Sequence, residues 1–279
     1  MSKFVPLSAK DFASKGWRKV LPAAYTRAQS LVAVTLDELP HIIPTMPVAF
    51  FQRTGADGAP SFEMAALLSL TQGRNLYVTP EGRWIGGYVP AVFRAYPFRL
   101  LPEPSGKRLV MCVDVDSGML VDRSEPDSFA FFEDDGKPTS QVTKVSEFLK
   151  WLERGRSATA HAVSLLQEHG LIQPWRLTAK SSEGKDKEVG GLFRIDEAAL
   201  KALDAAALKK LQEGNALVLA YAQLFSQHRL KNFADLSTLQ DKLDKVGAAP
   251  DGTQGKGQDE VDIDALFGTQ GDDTLKFNF

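Results

Sequence analysis

The residues of this chain that could do chemistry are four histidines, one cysteine and a dense cluster of aromatic and arginine side chains. The histidines are His41, His161, His169 and His228, and no two stand at the i, i+4 spacing that sets a pair of imidazoles on one helical face. His161 and His169 are separated by about two helical turns, roughly 12 Å along an axis, too far to share an ion. There is no His-x-Asp or His-x-Glu pair to begin an iron-binding facial triad. Cys112 lies in the apolar run Leu109-Val110-Met111-Cys112-Val113, where a thiol behaves as a small buried hydrophobe, and a lone cysteine cannot close an intramolecular disulfide. The motif for a serine nucleophile elbow is absent, as is that for a phosphate-cradling loop. Gly86-Gly87 is too short for a dinucleotide fingerprint and reads as a place where the backbone turns sharply or approaches a neighbour closely. The expectation is therefore no metal, no cofactor and no identifiable catalytic residue.

Two acidic stretches invite a calcium reading. Asp114-Val115-Asp116-Ser117-Gly118, with Asp122 beyond, alternates carboxylates as calcium loops do, yet it lacks the third early oxygen ligand and the terminal Glu. It reads as a strand-end turn with solvated carboxylates. Gly268 to Leu275 echoes one calcium-binding nonapeptide repeat, but such repeats bind by stacking and a single copy has no neighbour.

The cluster itself is the most distinctive feature. Trp84, Tyr88, Phe93, Tyr96 and Phe98 fall within fifteen residues, interleaved with Arg83, Arg94 and Arg99. Such a mixture supplies contact area, cation–π attraction and bidentate hydrogen bonds, and so suits a surface that recognises a peptide or protein. The competing reading is a core corner in which the rings pack and the arginines bond to carbonyls. Trp84, Tyr88, Arg94, Tyr96 and Phe98 are the candidate binding residues. His41 joins them, because a pocket lined by Tyr88, Arg94 and His41 would instead favour an enzyme.

The elements that must position these residues change character along the chain. The first half reads as strands and turns: Ile42 to Arg53 and Met64 to Leu70 as a hairpin about Thr54 to Gly58, then Asn75 to Val78, then Arg108 to Val115. Ala23 to Ser30 and Val89 to Arg94 read as short helices. After the turn at Glu133 to Pro138, Thr139-Ser140 cap a helix whose Val142, Val145, Phe148, Leu149 and Leu152 form one stripe. Gly155 is expected to break it before Ala158 to His169, with Gly170 as the C-cap. Leu171 to Thr178 reads as extended and Ser181 to Glu188 as an exposed charged loop. Asp196 and Asp204 cap two short helices, and Leu217 to His228 forms another, with Leu217, Leu219, Ala220, Leu224 and Phe225 as its apolar face.

Composition sets the frame. With 279 residues, 43% hydrophobic and 24% charged, the chain can build a sizeable core. Its net charge of −2 comes from interspersed acids and bases, which argues against a nucleic-acid partner. No apolar stretch is long enough to span a bilayer as a helix, and no secretory signal follows Met1. Synthesis and folding in the cytoplasm are expected, with a signal-independent route for any chain that reaches the cell surface.

Tyr88-Val89-Pro90-Ala91-Val92-Phe93-Arg94-Ala95-Tyr96-Pro97-Phe98 resembles the central signature of the bacterial SapC family. Met46 to Phe50, Phe132 to Gly136, Leu192 to Leu200, Ala220 to Leu224 and Gly271 to Phe277 resemble further family segments, in order along the chain. The family takes its name from a gene associated with a bacterial surface layer, and many members lie near genes for flavin-dependent halogenase-like proteins, oxygenase-like proteins and outer-membrane receptors. The resemblance implies an envelope association and carries over no catalytic residue. Where Gln223 stands, the family often has a histidine.

The expected fold is α+β, an antiparallel sheet from the N-terminal half covered by helices from the C-terminal half. The expected organisation is one domain over 1–245, a flexible linker over 246–260 and a docking segment over 261–279, which its own domain or a partner would receive. Two functions fit: a non-catalytic binding or accessory protein of the bacterial envelope or surface layer that recognises a peptide or protein, or an enzyme or enzyme subunit that modifies peptides or small molecules.

Overall fold

Val48–Thr54 and Pro60–Leu67 pair antiparallel, with Phe50 opposite Met64 and Thr54 opposite Pro60, so the expected hairpin is present. The computed structural model describes residues 2–19, 23–54, 58, 60–103, 105–106, 108–180 and 186–247. Residues 55–57 of the hairpin turn and 181–185 of the charged loop lie outside the described residues, as does everything after Gly247, which includes most of the expected linker and the whole C-terminal segment.

In chain order the strands are β1 (Phe4–Pro6), β2 (Lys15–Arg18), β3 (Leu31–Ala33), β4 (Val48–Thr54), β5 (Pro60–Leu67), β6 (Phe98–Pro102), β7 (Leu109–Asp114), β8 (Leu120–Asp122), β9 (Ser128–Ala130), β10 (Ile172–Pro174), β11 (Leu177–Lys180), β12 (Asp186–Val189) and β13 (Leu192–Ile195). The α-helices are α1 (Ala9–Phe12), α2 (Leu39–Ile42), α3 (Ala91–Arg94), α4 (Ser140–Glu168), α5 (Glu197–Lys201), α6 (Ala205–Glu213), α7 (Ala216–Ser226) and α8 (Asn232–Gly247), with 3-10 turns at Ala23–Thr26, Leu36–Glu38 and Gln227–Lys231. The fold is α+β with antiparallel sheets, and helices of the C-terminal half pack onto them. Two compact units divide the described residues: one lies within Met1–Leu21 and Arg94–Glu153, the other within Pro22–Phe93 and from Arg154 to Gly247.

The second unit carries a five-stranded sheet of order β10-β13-β4-β5-β3, so two of its strands come from the C-terminal half. Val48, Ala49 and Phe50 of β4 are buried, as are Met64, Ala65, Ala66 and Leu67 of β5. Helix α7 is fastened to this sheet by polar side chains. The β4–β13 ladder pairs Phe51 with Leu192 and Phe50 with Phe193, and in that register the next rung would join Val48 to Ile195. The Gln223 amide takes that place. Ile195 N–H donates to Gln223 Oε1 at 3.0 Å, and Gln223 Nε2 donates to the Val48 carbonyl at 3.2 Å. The Val48 N–H donates to Ser226 Oγ at 2.9 Å.

These bonds set the phase of α7 and correct the expected face: Leu219 and Ala220 are buried, but Phe225 is 64% exposed. Gly155 does not break α4, which is continuous from Ser140 to Glu168. A Cβ on Gly155 would stand 3.2 Å from the Thr35 Cβ, so the missing side chain makes room for the Thr35 turn. One turn on, Thr159 Oγ1 accepts the Leu36 N–H at 2.9 Å and donates to the Gly155 carbonyl at 2.7 Å. Gly170, at φ +65, ends the α4 segment, with the Leu171 N–H returning to the Leu166 carbonyl. Asp196 and Asp204 cap α5 and α6 through their side chains. The end of the expected charged loop instead forms β12, which pairs with β11.

The first unit holds two three-stranded sheets, β1-β7-β6 and β8-β2-β9. Trp17 of β2 stacks on Phe131 at 5.0 Å and meets Phe98 edge-on at 5.1 Å, which builds an aromatic core. Gly16 permits this, since a Cβ there would lie 2.4 Å from the Phe129 carbonyl oxygen. The expected strand at Arg108 to Val115 is β7, with Cys112 buried in it.

Candidate functional site

In the second unit the first part of the signature segment, Tyr88 to Phe93, is laid over a bed of rings. Val78 and Trp84 form an isolated antiparallel bridge around a turn that contains Gly82 at φ +86. Trp84 stacks on Tyr77 at 5.7 Å and meets Phe93 edge-on at 5.8 Å. A Cβ on Gly86 would fall 2.7 Å from Trp84 Nε1 and 3.1 Å from Tyr77 Cδ1, so this glycine serves close approach rather than a left-handed turn. Trp84 Nε1 donates to the Tyr88 carbonyl at 3.0 Å. Beneath, Tyr77 Oη donates to the Thr45 carbonyl at 2.8 Å, and burial pushes this phenol well above its ordinary range, with Arg229 pulling the other way. Tyr25 Oη donates to the Phe93 carbonyl at 2.6 Å.

Tyr88 is held by a carboxylate that composition alone does not single out. Glu38 is 1% exposed. One of its oxygens accepts the Thr35 N–H at 2.9 Å and Thr35 Oγ1 at 3.0 Å, and the other accepts the Ala91 N–H at 2.6 Å and Tyr88 Oη at 3.3 Å. Burying a carboxylate is costly unless hydrogen bonds satisfy it, and these four do so. The Tyr88 ring then lies half-buried with His41 stacked on it, centroids 5.1 Å apart and planes 20° from parallel. His41 reaches this position from α2, which follows directly on the Glu38 turn.

Arg94, Tyr96 and Phe98 belong to the first unit, and each faces a different neighbour. The Arg94 guanidinium lies 4.9 Å over the Phe148 ring. Tyr96 Oη donates to Asp114 Oδ2 at 3.3 Å, and burial together with that carboxylate pushes the phenol up to about 12. Phe98 is 1% exposed and is enclosed by Trp17 and Phe131. Asp114 is buried, which corrects the expected solvated turn: its Oδ1 accepts the Lys3 N–H at 2.9 Å and the Asp116 N–H at 3.2 Å.

The structure thus brings Trp84, Tyr88 and His41 together in one unit and sets Arg94, Tyr96 and Phe98 in the other. Among the described residues no three His, Cys, Asp or Glu side chains gather as a metal site. Burial raises the Cys112 thiol above its ordinary value, away from the thiolate form that reacts. Glu38 is the member of the site that sequence reasoning missed. Thr35-Leu36-Asp37-Glu38 fits the capping-box pattern, a signal that could have marked it.

Compared with protein families, the chain matches SapC over residues 7–233. No curated protein and no solved structure matches it.

Proposed function

The chain belongs to the SapC family, and on that premise we propose that it is a non-catalytic binding or accessory protein of the bacterial cell envelope or surface layer, recognising a peptide or protein through His41, Tyr88 and Trp84. The observation that carries this reading is where the polar ends of the site go. Tyr88 Oη is committed to Glu38 and Trp84 Nε1 to the Tyr88 carbonyl, so the phenol and the indole are anchored from within. The rings of His41, Trp84 and Tyr88 are half-buried, and the exposed part of such a ring is what stacking or a cation from a partner would use. A buried carboxylate with four donors is spent on architecture, and it fixes the Tyr88–His41 pair in place before any ligand arrives.

The proposed test is selection of a displayed random-peptide library on the full chain. Peptides enriched over a control surface should lose at least tenfold in affinity for His41→Ala. Absence of enrichment, or binding indifferent to His41→Ala, contradicts the reading. The envelope association is tested separately by fractionating cells that produce the tagged chain. Enrichment with the envelope or the cell surface is expected, and recovery only from the soluble cytoplasmic fraction argues against it.

A further inference from the structure

Glu38 is a buried anion with no cation beside it. Its partners are the Thr35 N–H, Thr35 Oγ1, the Ala91 N–H and Tyr88 Oη, and every one of them donates. The carboxyl group therefore serves only as an acceptor, which is the bonding pattern of an ionised carboxylate. Among the described residues no Lys, Arg or His side chain comes within ion-pair distance of it. Buried charges are ordinarily paired, and neutral donors stabilise this one without cancelling it. Its hydrogen bonds hold the architecture, while its charge remains. With little water around it, that charge is screened less than one at the surface.

Next to this charge the protein places aromatic rings. Tyr88 bonds to the carboxylate directly, and the His41 ring is stacked on Tyr88 with centroids 5.1 Å apart. The Trp84 indole is tied to the same segment through the Tyr88 carbonyl. The faces of aromatic rings attract cations, and a cation arriving at these rings also meets the field of Glu38. Asp37, exposed in the same turn, adds a screened charge of the same sign. The arginines of the surrounding loops are engaged elsewhere. Arg229 Nε donates to the Ile43 carbonyl at 3.1 Å, and the charges of Arg27 and Arg83 act on Glu81. A neutral side chain would gain only contact from this surface, and a carboxylate would be repelled by it.

We propose that the His41–Tyr88–Trp84 surface takes a cationic side chain, an arginine or lysine of its peptide, and that the Glu38 charge makes this choice. The inference rests on the peptide-binding reading and narrows it to one class of peptide. It is tested by selecting two displayed random-peptide libraries on the full chain, one with Lys and Arg and one built without them. The first should yield binders that lose at least tenfold in affinity for His41→Ala. Replacing their arginine by its neutral isostere citrulline, or their lysine by acetyl-lysine, should weaken binding to the wild type at least tenfold, and glutamate there should be weaker still. In Glu38→Gln, with its fold checked by circular dichroism, the loss on going to the neutral isostere should shrink at least threefold. The wild-type peptide series decides the charge preference even where that variant does not fold. His41-dependent binders of equal affinity from the library without cations would sustain the peptide reading and overturn this inference. So would charged and neutral isosteres of equal affinity, or a loss unchanged in Glu38→Gln. No His41-dependent binder from either library would overturn both.

Discussion

The Ala91 N–H lies 2.6 Å from a Glu38 oxygen, and this bond ties the aromatic segment to a turn 53 residues earlier in the chain. Tyr88, three residues before Ala91, uses the same oxygen. Removing the carboxylate strands buried donors, which cost about 1–3 kcal/mol each when left unsatisfied. Glu38→Ala should therefore lower stability by about 3 kcal/mol, read as a fall in the urea midpoint. Glu38→Gln should cost about 2 kcal/mol, because its amide NH2 turns a donor toward donors. A loss below about 1 kcal/mol for both variants would remove Glu38 from its central place.

Gln223 stands in for a rung of the β4–β13 ladder, so truncation frees a buried N–H and a buried C=O at once. Gln223→Ala should cost about 2–3 kcal/mol. A neutral imidazole offers one acceptor and one donor at similar separation, and Gln223→His should retain more stability than Gln223→Ala. Equal losses would show that the bridging geometry, and not the bonding capacity, decides the position.

Alkali should weaken the fold through its buried phenols. Tyr96 is raised from an ordinary 10.0 to about 12, so folding favours its protonated form. That contribution is complete below the unfolded value and is lost as pH rises through the folded value, so stability declines between about pH 10 and 12. Tyr77 adds to the decline in the same direction. In Tyr96→Phe the slope of urea stability against pH over this window should be shallower than in the wild type. An identical slope contradicts the assignment.

Gly86→Ala places a Cβ among the Trp84 and Tyr77 rings and should cost about 1–3 kcal/mol, as overpacking does. Gly190→Ala is the control, since a Cβ there meets nothing within 4 Å, and it should change stability by less than about 0.5 kcal/mol. Thermal melts of the two variants separate these outcomes.

Local chemistry was legible in the sequence and long-range chemistry was not. Asp196, Asp204 and Gly170 announce helix ends because capping is decided by a few neighbouring backbone groups. The branched run of β7 was readable for the same reason. Gly155 misled because its cost to a helix is local, while its benefit, room for Thr35, comes from 120 residues earlier. The phase of α7 was misread because hydrophobicity places Phe225 inside, whereas backbone groups of β4 and β13 demand Gln223 and Ser226 there. Within the site, the Tyr88–His41 pairing depends on Glu38, whose partners at 88 and 91 have no sequence proximity to it.

The central claim rests on the Tyr88–His41 stack as a recognition surface, and isothermal titration of a selected peptide measures it directly. Tyr88→Phe keeps the ring and its stack and loses one 3.3 Å hydrogen bond, so its affinity should stay within about twofold of wild type. Tyr88→Ala and His41→Ala should each weaken binding at least tenfold while the circular dichroism spectrum is retained. Equal affinity across all four proteins would contradict the account.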